Sequence, residues 1–128
     1  MKKSTILFII LIAGMSLITK AKKQGQERID SLLTQLPKAR EDTNKVNFLT
    51  DLSYTYYIIN RDEGLKYGKQ GLALVEKLNW KKGIAYSNLR IGINYYVKKE
   101  FPVALEYDLK ALKQFEEIDD KTGKAKVL

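Results

Sequence analysis

The sequence predicts an all-α fold, and three observations carry that prediction. From Ile29 onward apolar residues recur at three- and four-residue spacing, the mark of amphipathic helices. No stretch alternates with period two for long enough to read as a strand. The chain also matches itself at a fixed offset, so its helices are predicted to come as repeated antiparallel pairs.

At an offset of 40 residues, 64–88 matches 104–128. Leu65 meets Leu105, Tyr67 meets Tyr107, Leu72 meets Leu112 and Glu76 meets Glu116. Lys81, Gly83 and Ala85 meet Lys121, Gly123 and Ala125. Upstream the offset is 39, with Leu52 on Ile91 and Tyr56-Tyr57 on Tyr95-Tyr96. A turn shorter by one residue in the first copy accounts for the difference.

Each copy divides into two helices. In the first copy Val46, Leu49, Leu52, Tyr56 and Ile59 share one face, and Asp42 or Thr43 is the candidate N-cap. Asp62 is the candidate cap of the partner helix, which carries Leu65, Leu72, Val75 and Leu78. In the second copy the helices are expected near 83–98 and 101–118. Pro102 falls in the first turn of the latter, where its missing N–H costs nothing. An amphipathic stretch with Ile29, Leu32, Leu33 and Leu36, stopped near Pro37, leads the array. The expected organisation is therefore 1–20 a signal peptide or membrane anchor, 26–40 a leading helix, 43–80 the first repeat, 83–120 the second, and 121–128 the start of a third. Two copies and a fraction leave part of 101–118 uncovered. The array is accordingly expected to be incomplete at its C-terminal end, a fragment or truncated product that self-associates through that open face.

The N-terminal segment, MKKSTILFIILIAGMSLITK, places two lysines before an apolar run at 6–18. As a helix that run spans about 20 Å, short of the roughly 30 Å hydrocarbon core of a bilayer. Its pattern fits a secretory signal, with Thr19-x-Ala21 and Gly14-x-Ser16 as imperfect cleavage sites. Lys20, Lys22 and Lys23 just beyond oppose translocation and keep an uncleaved anchor open. The expectation is export, to the periplasm or to the inner membrane, rather than a cytoplasmic location.

Composition excludes much chemistry. The chain has no cysteine and no histidine, so disulfides, thiol nucleophiles, His-ligated metals and Ser-His-Asp triads are absent. Acidic pairs such as Asp62-Glu63, Glu116-Glu117 and Asp119-Asp120 are adjacent at helix ends, where capping and solvation account for them. No glycine-rich phosphate loop occurs. The expectation is no enzyme and no cofactor. The formal charge is +8, but residues 21–128 carry 20 basic and 15 acidic residues, interspersed along the helices. That distribution is a solvated mixed-charge surface and argues against a nucleic-acid partner.

The second copy, AYSNLRIGINYYVKKEFPVALEYDLKALKQF, resembles a tetratricopeptide repeat. Ile91-Gly92 stands where that family has Leu-Gly, Tyr95 at its first-helix tyrosine, and Ala104 and Ala111 at its two small second-helix positions. Asn88 and Asp108 depart from its aromatic positions. The first copy diverges further, with Ser53 for the glycine and Gly64 and Gly71 for the alanines. The period exceeds the family's usual length of about 34. The N-terminal stretch is also similar to the start of exported repeat arrays that head bacterial sensor proteins.

The resemblance implies a solenoid of antiparallel helix pairs that binds a peptide or protein on its concave side. Carried onto this chain, the family's groove positions give Asn47, Thr50, Tyr54 and Tyr57 in the first copy. In the second they give Tyr86, Leu89, Ile93 and Tyr96, with Arg90 alongside. The same tyrosines are open to a second reading, as packing between repeats, and Trp80 reads as inter-repeat packing. Thr50, Tyr54 and Arg90 stand where the family's carboxylate clamp needs Lys, Asn and Asn, so binding of chaperone C-termini is not implied. A sensory input region of a two-component-type protein is the alternative function. Gly64→Ala and Gly71→Ala are each expected to stabilise by roughly 0.5–1 kcal/mol, since Ala104 and Ala111 already hold the matching seats.

Overall fold

The computed structural model describes residues 2–128, and among these the fold is all-α. Six helices follow one another: α1 (Lys2–Gln35), α2 (Thr43–Tyr56), α3 (Arg61–Lys77), α4 (Lys81–Val97), α5 (Phe101–Glu117) and α6 (Lys121–Val127). Each of α2 to α6 packs on its neighbours in sequence, while α2, α4 and α6 also touch in succession and α1 packs on α2.

The period is set by turn chemistry. Helices α3, α4 and α5 are each 17 residues long. Each ends in a residue of left-handed backbone: Asn79 (φ 52°), Lys99 (φ 64°) and Asp119 (φ 51°). In all three turns this residue's N–H donates to a carbonyl three back (Glu76, Tyr96, Glu116). The next N–H donates to a carbonyl five back, on Val75, Tyr95 and Phe115. That pair of bonds is the Schellman motif. The turn after α2 lacks the left-handed residue. There Asn60 N–H donates to the Tyr56 carbonyl only four residues back, at 2.7 Å. The first copy is shorter by that residue, which accounts for the change of offset.

Caps and breakers place the ends. Asp42 caps α2, accepting from the Asn44 and Lys45 N–H groups at 2.9 and 3.4 Å. The cap of α3 is Asn60 rather than Asp62, because the shorter turn starts the helix at Arg61; Asn60 Oδ1 accepts from Glu63 N–H at 3.3 Å. Pro102 sits in the first turn of α5, as the sequence predicts. Leu36–Lys38 form a 3-10 turn around Pro37, whose lack of an N–H ends α1.

Helix α1 runs unbroken through both the apolar N-terminal run and the leading amphipathic stretch. Its 34 residues span about 51 Å. The apolar side chains from Ile6 to Ile18 are all exposed, and the helix is long and apolar enough to be a membrane span or a signal sequence. Its other end is docked: Ile29 and Leu32 are buried against Leu52, with Phe48, Tyr56 and Ile59 around them.

Repeat-equivalent residues make repeat-equivalent contacts. Tyr56 stacks on Tyr67 and Tyr95 on Tyr107, each pair at 5.6 Å between ring centroids. Ala104 and Ala111 are buried, with Ala111 packed beside Ala85, Leu89 and Phe115. Gly83 and Gly123 each lie under an aromatic ring, Trp80 and Phe115, that a Cβ would strike. Trp80 packs on Val46, Leu49, Leu74 and Val75, which joins the first copy to the start of the second.

The two first-copy glycines are not alike. A Cβ on Gly71 would meet only Leu49 Cβ, at an ordinary 3.5 Å. A Cβ on Gly64 would stand 2.9 Å from Asn94 Oδ1 and 3.1 Å from the Ser53 carbonyl oxygen. Asn94 belongs to α4, so this is a three-helix junction. The expectation that alanine suits both seats is corrected at Gly64.

Candidate functional site

The candidate residues lie on α2 and α4, on the side where α2, α4 and α6 succeed one another. Two adjoining depressions form there. One, of about 200 Å³, is lined by Asn47, Thr50, Trp80, Lys82, Tyr86 and Arg90 among others. The second, of about 490 Å³, is lined by Arg28, Thr50, Asp51, Tyr54, Tyr57 and Arg90 with Thr55 and Ile58. Thr50 and Arg90 belong to both.

Arg90 organises the site. Its guanidinium lies 4.9 Å over the Tyr54 ring centroid, and Tyr54 stands 5.6 Å from Tyr57 at a tilt of 30°. A cation over a tyrosine face is held by the ring quadrupole while its N–H groups stay available to accept a ligand's oxygens. Thr50 is less available than its position suggests, since its hydroxyl donates back to the Val46 carbonyl at 2.9 Å. At the floor of the larger depression Arg28 of α1 pairs with Asp51 of α2 at 2.8 Å.

Tyr86 has a divided role. Its ring meets Phe115 edge-on at 4.9 Å, which is core packing, while Lys82 and Lys126 lie 5.8 and 5.2 Å from its centroid. Lys82 is also paired with Asp120 at 3.3 Å. Asp120 accepts the Gly123 N–H, and that bond, helped by Lys82, holds its carboxyl below the usual carboxylate range.

The remaining candidates fall elsewhere. Leu89 is 5% exposed and packs with Ala85, Ala111 and Phe115, so it supports the wall from behind and offers a ligand little surface. Ile93 and Tyr96 are exposed further along α4, where Tyr96 meets Phe101 of α5 edge-on at 5.4 Å. Asn47 is exposed at the rim. Sequence reasoning missed Arg28 and Lys82 as site residues. Arg28 lies outside the repeat, and nothing in its local pattern points to a partner 23 residues away. Lys82 precedes the position where the second copy's first helix was expected to begin; α4 in fact starts at Lys81.

Comparison with models of known protein families gives no match, and comparison with curated proteins gives none either.

Proposed function

We propose that the chain is a non-enzymatic interaction scaffold of the tetratricopeptide type, holding a peptide or an extended protein segment along the groove between α2 and α4. The observation that carries this reading is the Arg90–Tyr54–Tyr57 group: half-exposed aromatic surface next to a guanidinium with no carboxylate partner among the described residues. Tyrosine and arginine are the side chains that most often dominate recognition surfaces, because they give large contact area with few rotors and a polar tip. The equal 17-residue helices and the repeat-equivalent tyrosine stacks support the solenoid reading. The test is to select peptides from a displayed library on the full chain in nanodiscs, then repeat the binding with Tyr54→Ala and Arg90→Ala. Selected peptides lose binding to both variants on this reading; undiminished binding rejects it.

A second reading, the input region of a membrane sensor with the repeats outside the cytoplasm, is favoured by α1. A single uninterrupted helix links the apolar run to Arg28, which lines the groove. Fusing a reporter active only outside the cytoplasm to residue 24 tests the location: an active reporter is expected, and an inactive one removes both export and this reading.

A further inference from the structure

Helix α4 covers one face of α3 where the two copies join, through four recognisable seats. Asp62 pairs with Lys98 at 2.9 Å. Gly64 makes room for Asn94, and Gly68 for Ile91, whose Cγ1 would lie 3.3 Å from a Cβ there. Lys69 sits 5.5 Å from the Tyr95 ring centroid. Leu65, among them, is only 6% exposed. Asn94 also supplies a donor to the Ser53 hydroxyl, at 3.4 Å, where α2, α3 and α4 meet.

The repeat places Pro102, Ala104, Asp108 and Leu109 of α5 in those four seats, and Leu105 in that of Leu65. Helix α6 packs at the other end of α5, where Gly123 receives the Phe115 ring and Val127 joins the same cluster. Over the rest of the face Leu105 is 58% and Leu109 56% exposed, with Phe101 beside them. Asp108 stands at the corner between this face and α4. Gly92 leaves room for its carboxylate, and its Oδ1 is buried without a hydrogen-bond partner. Burial without donors pushes its pKa up. In the first copy the corresponding polar group, the Ser53 hydroxyl, receives its donor from the covering helix.

We propose that this face of α5 docks an amphipathic helix in the position that α4 takes on α3, apolar toward Phe101, Leu105 and Leu109 and carrying one amide or guanidinium donor to Asp108. The docked helix differs from α4 in two ways. Leu109 replaces Lys69, so the contact line is more apolar. Pro102 replaces Asp62, so nothing on α5 calls for the lysine that α4 supplies at that end. An orphaned carboxylate flanked by apolar surface selects for a donor, because leaving it desolvated and unpaired opposes docking. The surface is separate from the concave groove and does not depend on what the groove binds.

The probe is a helix-stapled, fluorescent peptide with the sequence of residues 81–99 carrying Tyr95→Leu, titrated into the full chain in nanodiscs. Saturable binding is expected, weakened about tenfold or more by Leu109→Lys. That variant installs at an exposed position what α3 already carries at Lys69, and circular dichroism confirms its fold. Replacing the peptide's Asn94 by Arg is expected to tighten binding several-fold to the parent chain but not to Asp108→Asn. Absence of saturable binding, or binding indifferent to both protein variants, overturns the proposal. So does concentration-dependent dimerisation of the full chain that Leu109→Lys abolishes and the peptide cannot displace, because the face then belongs to a second copy.

Discussion

The Arg90 guanidinium stacks over Tyr54 across the gap between two helices that are neighbours only because the repeat makes them so. Tyr54 is 55% exposed, so its ring holds up little of the core. Tyr54→Ala is therefore expected to cost less than about 1 kcal/mol of stability, as surface changes do. Its effect on a groove-bound peptide is expected at 2 kcal/mol or more, about thirtyfold in affinity. Tyr86→Ala behaves differently: with its ring against Phe115 it is expected to cost about 1–3 kcal/mol. Thermal denaturation and peptide titration of both variants check this.

The glycine seats separate in the same way. Gly71→Ala is expected to stabilise by roughly 0.5–1 kcal/mol, from helix propensity and unfolded-chain entropy. Gly64→Ala is expected to destabilise by about 1–3 kcal/mol, because the new methyl group meets Asn94 and backbone. Urea denaturation of the two single variants distinguishes them; equal effects would place Asn94 away from that junction.

Lys99 holds a left-handed conformation without the help that Asn79 and Asp119 gain from short polar side chains. Lys99→Gly is expected to raise stability by up to about 1 kcal/mol. The same change at Asn79 is expected to gain less. Paired melting curves read the difference.

Asp108 carries a pH signature. Its pKa in the folded chain is raised by burial, so folding favours the protonated carboxyl. That stabilising contribution is complete below the unfolded pKa, near 4, and is lost as pH rises through the folded value. Asp108→Asn is thus expected to melt higher than the parent at neutral pH, with the gap closing below about pH 4. A gap independent of pH would show that the carboxylate is well solvated.

The helical periods, the tyrosine pairs and the buried Ala104 and Ala111 were legible in the sequence because each follows from spacing within one element or from the repeat. What was not legible depends on a third element. Gly64 looked like Gly71 until Asn94 arrived from α4. Leu89 looked like a groove residue until Ala111 and Phe115 closed over it. Asn60 displaced Asp62 as the cap because one residue was missing from the preceding turn, and composition marks either residue as a cap. Arg28 reached the site from α1, which has no counterpart in the repeat to announce it.

A photo-crosslinking residue tests the groove most directly. Benzoylphenylalanine placed at Asn47, exposed at the rim of the smaller depression, is compared with the same group at Gln70, exposed on α3. A peptide selected on the full chain is expected to crosslink from position 47, to do so less when Arg90 is replaced by alanine, and not to crosslink from position 70. Equal crosslinking from both positions, or crosslinking from position 70 alone, would contradict a binding groove between α2 and α4.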